Sequence, residues 1–193
     1  MVSVFASNAL SRPAIQLLAS TIAGGSAPPG WAVIDAALVD GERVRSIFRR
    51  RGCVVAEGYS GSDLAAFGAD GVVLVSLPQE GSARVAQVTE LLELATPATA
   101  ISWLSTDADL RALQALCHYL GMAGIEGRKQ PVHCRFADTR VLPVVLGQLS
   151  ASQSARLQSV VKRWAWVSRQ GHYACWEPNA VASGRRTVTP ICN

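Results

Sequence analysis

The stretch VHCRFADTRVL, residues 132–142, places charged side chains between apolar ones at a predicted junction of strand and helix. Successive side chains point to opposite faces of a strand, so the alternation over residues 132–137 predicts a strand with Phe136 on its apolar face. A helical stretch is predicted at about residues 139–148. The side chains between these two elements are then placed to fix how strand and helix join.

Asp138 lies at the exit of the predicted strand. Its carboxylate can accept hydrogen bonds from the free amides of Arg140 or Val141, and it can also face Arg135 or Arg140. Such charge-assisted contacts would hold the strand and the helix together. The spacing of the charged residues therefore has a complete structural explanation before any function is considered.

Strands and helices alternate upstream of this stretch. The predicted elements are a leading helix from Ser11, buried strands at residues 31–39, 72–77 and 99–104, helices at 42–51 and 82–95, and a helix opened by Thr106 and Asp109 in capping-box spacing. The loop at residues 53–71 is predicted to hold only a short helical turn. This order predicts an α/β fold with a central, mainly parallel or mixed sheet of about four to five strands flanked by helices.

The chain downstream is predicted to end in a hairpin. Ser150 and Gln153 again have capping-box spacing. They open a predicted helix with an inward apolar face formed by Leu157, Val160, Val161 and Trp164. Two short alternating runs around Gln170 and Gly171 predict the hairpin. The chain is thus divided into an N-terminal helix and linker (1–30), an α/β domain (31–176) and a weakly ordered tail (177–193).

Composition predicts one compact domain. The chain has 193 residues, of which 49% are hydrophobic and 17% charged, enough to bury one core. The net charge of +4 equals the surplus of residues 42–51, where one glutamate, Glu42, faces five arginines: Arg43, Arg45, Arg49, Arg50 and Arg51. Their alternation with apolar residues is typical of the solvated face of an amphipathic helix. A nucleic-acid-binding patch is the alternative.

Cysteine usage and hydropathy indicate a cytoplasmic protein. The five cysteines form an odd set without a C-x-x-C pair, so a disulfide framework is not expected. Apolar runs stay well short of the roughly 18 residues that a membrane helix needs. We therefore expect reduced thiols and no membrane contact.

Candidate catalytic and metal-binding patterns are weak. GYSGSD, residues 58–63, resembles a nucleophile elbow, but Ser62 replaces the second glycine and the segment precedes a strand instead of following one. Neighbouring cysteine and histidine at 117–118 and 133–134 point in different directions, and Cys117 and Cys134 fit apolar faces. Phosphate-binding glycine motifs do not occur. We expect no catalytic residue, cofactor or metal, and a small hydrolase using Ser60 or a cysteine remains the enzymatic alternative.

Asp35 is unusual because a carboxylate in the apolar run WAVIDAALV costs several kcal/mol if it is buried without a partner. We expect it to pair with an arginine or with loop amides at the end of the strand. A role as general base is the alternative.

The motif RFADTRVL also carries a family resemblance. Together with LGQLSASQSARLQSVVKRWAWV it resembles the signature of the adaptor (effector-chaperone) domain family of bacterial type VI secretion systems, an R-F-x-D-x-R-x-L motif before a leucine-rich stretch and a helix ending in tryptophan. The motif positions here are Arg135, Phe136, Asp138, Arg140 and Leu142. WAVIDAALV, EGYSGSDLAAFGADGVVLVSL and TAISWLSTDADLRALQALCHYL resemble the family's earlier segments. The family commonly has proline after the motif aspartate, where this chain has Thr139.

The resemblance implies a non-enzymatic adaptor. Such proteins bind a toxic effector in the cytoplasm and help mount it on the spike protein of the secretion apparatus. The expected partners are therefore an effector and the spike protein. Large aromatic side chains dominate the energetics of protein interfaces. The candidate anchors in the hairpin are Trp164, Trp166, Tyr173 and Trp176, which alternatively close the core. Arg135, Asp138 and Arg140 are taken as mainly structural, with Arg135 and Arg140 as further candidates for partner contact.

Overall fold

The computed structural model describes residues 10–24, 28–95, 98–124, 126–178 and 187–189. Within them the strands are β1 (Trp31–Asp35), β2 (Val55–Glu57), β3 (Val72–Ser76), β4 (Ile101–Ser105), β5 (Met122–Ala123), β6 (Val132–His133), β7 (Arg163–Val167), β8 (Tyr173–Trp176) and β9 (Thr187–Thr189). The α-helices are α1 (Arg12–Ala23), α2 (Gly41–Arg50), α3 (Gly81–Leu94), α4 (Leu110–Gly121), α5 (Leu142–Gln148) and α6 (Ala151–Gln158). Short 3-10 segments lie at Ala36–Leu38, Asp63–Asp70 and Ala98–Ala100. The predicted α/β class, with helices flanking a central sheet and a C-terminal hairpin of β7 and β8, is confirmed.

The central sheet has the strand order β2-β3-β1-β4-β7-β8-β9, and each neighbouring pair is antiparallel. Helices α2 and α3 each connect two strands of the same direction, as the alternation of strand and helix predicts. Each connection passes over one strand, because β3 lies between β1 and β2, and β1 lies between β3 and β4. The inserted strand runs the opposite way. The sheet in the described residues is therefore antiparallel with seven strands, where a mainly parallel or mixed sheet of four to five was expected.

Each face of the sheet carries its own apolar core. Side chains alternate along β1, so that Ala32 and Ile34 pack with α1, α2 and α3, while Val33 packs with α4, α5 and α6. Trp103 fills the first core and Trp164 the second, each 1% exposed. Because both faces are covered, the inner strands are nearly continuous apolar runs.

Polar side chains set where several helices begin. Asp40 accepts from the amide of Arg43 at 3.0 Å and caps α2. Ser150 and Gln153 form the predicted capping box of α6, with both reciprocal bonds present. The cap of α4 is Asp109, which accepts from the amide of Ala112 at 2.8 Å. The predicted cap at Thr106 was wrong, because its hydroxyl accepts from the amide of Ala108 and donates to the carbonyl of Val160.

Several predicted element boundaries were wrong. The strand expected over residues 31–39 ends at Asp35, where the Asp35 carboxylate opens a 3-10 turn. The strand expected over 132–137 is reduced to β6, which pairs with β5 in a separate two-stranded ladder. Strand β2 was missed because three residues on the sheet edge carry no periodic signal.

The helix predicted from Ser150 ends earlier than expected. Helix α6 stops at Gln158, and Trp164 belongs to strand β7. Helix α5 begins at Leu142, with Pro143 in its first turn, rather than at about residue 139. Helix α5 begins late because residues 138–141 form a turn held by Asp138.

The proposed subdivision of the chain falls partly outside the described residues. Of the N-terminal segment 1–30, helix α1 packs against α3 and buries Leu18 and Ile22 in the first core. Of the tail 177–193, residues 177–178 and β9 are described, and β9 pairs with β8. Among the described residues, none of the helices combines the length and the apolar character needed to cross a bilayer.

Candidate functional site at the joint between β1 and α5

Asp35 ends β1 with a side chain that is only 5% exposed. Its Oδ1 accepts from the amide of Ala37 at 3.1 Å. Its Oδ2 accepts from Nε and Nη2 of Arg135 at 3.2 and 2.8 Å. Burial raises the pKa of Asp35, and Arg135 offsets part of that effect. Asp35 thus has both kinds of partner that its buried position requires, an arginine and a backbone amide.

Asp138 forms the second ion pair of this region. Its carboxylate accepts from the amide of Arg140 at 2.9 Å, and it receives Nε and Nη2 of the same guanidinium. These hydrogen bonds raise the pKa of Arg140. The main-chain carbonyl of Asp138 accepts from the amides of Val141 and Leu142. Asp138 therefore holds the turn that leads into α5.

Thr139, between these charged residues, links the turn to the sheet. It is 1% exposed, its amide donates to the carbonyl of Thr99 at 2.9 Å, and its hydroxyl donates to the carbonyl of Val167 at 2.8 Å. In the sequence, Thr139 is notable only as a departure from the family pattern that the motif resembles. A threonine next to a capping aspartate does not by itself indicate such tertiary bonds. We call Asp35, Arg135, Asp138, Thr139 and Arg140 the joint.

The apolar motif residues anchor the joint in the second core. Phe136 and Leu142 are both 0% exposed. The ring of Phe136 meets that of Trp164 edge to face, with centroids 6.1 Å apart. The motif therefore combines two buried apolar anchors with two ion pairs. Its predicted strand alternation does not hold at residues 134–137, because Phe136 and Ala137 are buried side by side.

His133 lies in an aromatic cluster beside the joint. Its Nε2 is 3.1 Å from the hydroxyl of Tyr59, and its ring stacks on Phe67 with centroids 4.0 Å apart. Burial, together with the charge of Arg135, lowers the pKa of His133. Burial raises the pKa of Tyr59. Phe67 is 42% exposed, so the cluster reaches the surface. Local patterns in the sequence do not predict this cluster, since its members come from separate segments.

The aromatic residues of the hairpin lie mostly inside the molecule. Trp164, Trp166 and Tyr173 are buried, and Trp176 is half-buried. The indole Nε1 of Trp164 donates to Ser102 at 2.9 Å. The alternative that these side chains close the core therefore describes three of the four. Their contact with a partner stays a prediction, for which Trp176 offers the accessible surface.

One of the arginines of α2 that were predicted to be solvated is buried. Arg45 is 3% exposed, and its Nε and Nη2 donate to the two carboxylate oxygens of Glu57 at 2.8 and 2.9 Å. It also donates to Glu42 and to the carbonyl of Ala69. Helical spacing could have found it, because Arg45 lies next to Val44 and one turn before Phe48 on the buried side.

The candidate nucleophiles of the sequence are Ser60 and the cysteines. Ser60 is exposed, and its hydroxyl forms no hydrogen bond with a histidine or carboxylate among the described residues. Burial raises the pKa of Cys117 to about 12 and that of Cys134 above its ordinary value. Sets of three His, Cys, Asp or Glu side chains able to hold a metal do not occur in the described part of the chain.

The fold and the joint together define a three-layer α/β protein whose charged motif connects its elements. The family described as a domain of unknown function (DUF4123) matches residues 30–156. This match covers more than half of the 193 residues, and the chain therefore belongs to that family. The comparison with curated proteins gives no match, and no solved structure matches.

Proposed function

We propose that this protein is a non-enzymatic adaptor that binds an effector of a type VI secretion system in the cytoplasm and helps load it onto the spike protein. Membership of the matched family is consistent with this role. The resemblance of RFADTRVL and its flanking segments to the effector-adaptor signature supports the particular system.

The observation that carries the proposal is the internal use of the motif's charges. A carboxylate that acts on a substrate must keep an oxygen available to it. Asp35 and Asp138 are 5% and 6% exposed, and both bind backbone amides and arginines of the chain itself. Such an arrangement favours a scaffold over a reaction centre.

The surface around the joint has features that suit a protein partner. Arg135 is 41% exposed although it binds Asp35, and Phe67 reaches the surface close by. Val144 of α5 is 62% exposed, directly after the motif. Aromatic and arginine side chains are enriched at the centres of protein interfaces. With Trp176 and Arg140, they are the residues we propose for partner contact.

Co-expression tests this function directly. The effector encoded beside this gene is produced with and without the chain, and its soluble yield and co-purification are measured, followed by capture of the pair on the purified spike protein. We expect a higher soluble yield, a stable complex and capture on the spike. If the effector neither co-purifies with the chain nor gains soluble yield from it, the adaptor role is refuted.

A further inference from the structure

Arginines lie on the exposed side of α2 and at its C-terminal end. Nε of Arg50 donates to the carbonyl of Ser46 at 3.2 Å. Arg51 pairs with Glu90, and Nη2 of Arg49 lies 4.0 Å from Glu57. Arg43 and Arg50 are exposed and form no ion pair with any residue that the structure describes. Seven positions separate them, so both point the same way, about 10 Å apart along the axis. Two of the five arginines that give the chain its positive surplus therefore share one exposed face of the helix.

A groove of about 330 Å³ adjoins α2 and is lined by Glu42, Arg45 and Arg49 of that helix. Its inner residues include Tyr59, Leu64 and Val72, and Arg49 lies on its rim. The side chain of Arg45 links two segments that line the groove, because it bonds to Glu57 at the end of β2 and to the carbonyl of Ala69. The groove is thus pre-formed, with a partly apolar interior beside a basic helix.

We propose that this face of α2 and the adjoining groove bind an acidic segment of a partner protein. The carboxylates of the segment contact Arg43, Arg49 and Arg50, and one of its apolar side chains enters the groove. This inference rests on the proposed adaptor function and specifies one surface that a partner uses. Opposite charges steer association, and a filled apolar pocket slows dissociation.

The carboxylates near the groove favour a polypeptide over a nucleic acid. Glu42 and Glu57 lie on the groove, and Glu42 is 74% exposed. A nucleic acid carries a continuous row of phosphates and would meet these carboxylates. A peptide can place its acidic residues only where the arginines are. It can also supply the apolar side chain that the interior accepts.

Charge reversal tests the basic face. Arg43→Glu with Arg50→Glu is compared with Arg111→Glu with Arg128→Glu, two exposed arginines elsewhere, so that both variants change the net charge equally. The probes are the co-expressed effector and a labelled peptide of alternating glutamate and leucine, about ten residues long. We expect the α2 variant to lose about tenfold or more in peptide affinity and the control to stay within about twofold. Peptide binding should also weaken between about 0.05 M and about 0.5 M salt.

Filling the groove tests the second contact. Ala65 lines the groove and its neighbour Ala66 does not, although both are exposed. Ala65→Trp should weaken peptide binding by about tenfold, and Ala66→Trp should leave it unchanged. Equal losses in each variant and its control, no binding to the wild-type chain, or preference of the same arginines for duplex DNA would each overturn the proposal.

The two proposals fail in different ways. If the effector co-purifies equally with the wild type, the α2 variant and Ala65→Trp, the adaptor role stands and the α2 surface is refuted. If the effector never co-purifies while the peptide still depends on Arg43 and Arg50, the adaptor role is refuted and the surface stands. Circular dichroism and thermal unfolding of each variant verify that it is folded.

Discussion

Asp35 illustrates how a buried charge is tolerated in this protein. Its pKa is raised, so burial disfavours the ionised carboxylate more than Arg135 and the amide of Ala37 favour it. A carboxyl group with a raised folded-state pKa contributes stability at low pH and loses it as the pH rises through that pKa. Arg135 therefore stabilises the ionised form of Asp35.

Removing Arg135 should destabilise the protein by about 2 kcal/mol at pH 7, because Asp35 would remain buried without its countercharge. The deficit of Arg135→Ala should shrink as the pH falls and Asp35 takes up a proton. Urea unfolding at several pH values measures this.

The control for that experiment removes the charge as well as its partner. In Arg135→Ala with Asp35→Asn, the amide side chain can still accept from Ala37, and most of the lost stability should return. A double variant as unstable as Arg135→Ala at neutral pH would contradict the account of Asp35.

His133 should give the protein a second pH dependence. Its folded-state pKa lies below the unfolded value of about 6.5, so the stability from neutral His133 is complete above that value and is lost as the pH falls. His133→Gln removes this titration. We expect the difference in free energy of unfolding between wild type and variant to change from about pH 7.5 to about pH 5. A constant difference over this range would count against the buried, neutral histidine.

Single residues also mark the limit of what the sequence predicts. The need of Asp35 for a partner follows from its apolar neighbours alone. Its partner does not, because Arg135 lies 100 positions away and several other arginines were equally available. Arg45 shows the same limit, since five clustered arginines concealed the one whose carboxylate partner lies in β2.

At the scale of elements, the joint ties three parts of the fold together. Asp35 brings the end of β1 to Arg135, Asp138 starts the turn into α5, and Thr139 reaches β7 and the 3-10 segment before β4. Each contact uses a polar group that would be unsatisfied without it. The position of α5 against the sheet should therefore depend on Thr139.

Thr139→Pro is the sharpest test of this dependence. It removes both the amide donor to Thr99 and the hydroxyl donor to Val167, and we expect a loss of about 3 kcal/mol. Thr139→Val keeps the amide and should cost only about 1 kcal/mol. Chemical unfolding of both variants separates the two bonds. Equal stability of the two variants would mean that the amide bond contributes nothing.

Local periodicity in the sequence predicted the helices and strands that have one buried apolar face. It did not predict the features that depend on contacts between residues far apart in the chain. Helices α1 to α4 and the hairpin follow from apolar spacing, glycine and proline positions and caps. The sequence of residues 132–137 alternates like a strand. Residues 134–137 are nevertheless not part of β6, and Arg135 among them pairs with Asp35 in the joint. Local sequence also does not predict that a third strand lies between the two strands that each helix connects. Strand order depends on pairing between residues far apart in the chain.

At the scale of the whole molecule, we expect Trp164 to contribute mainly to the stability of the fold and Trp176 mainly to partner binding. Trp164→Ala should cost about 4 kcal/mol, because the side chain is fully buried and bonded to Ser102. Trp176 is half-buried, so Trp176→Ala should cost about 1 kcal/mol and yet reduce co-purification of the effector. Urea unfolding and co-purification are measured on the same preparations. Unchanged co-purification with Trp176→Ala would remove it from the proposed interface.

The arrangement in which each helix connection passes over one strand affects how the chain folds. Trp31 pairs with Ser76 on one side and with Leu104 on the other, so β1 cannot gain either neighbour until long stretches behind it have been synthesised. Non-local pairings of this kind slow folding to milliseconds or longer. An apolar strand that stays unpaired in the nascent chain exposes hydrophobic surface and is prone to aggregate. A protein proposed to shelter another polypeptide would thus itself pass through a vulnerable stage on the ribosome.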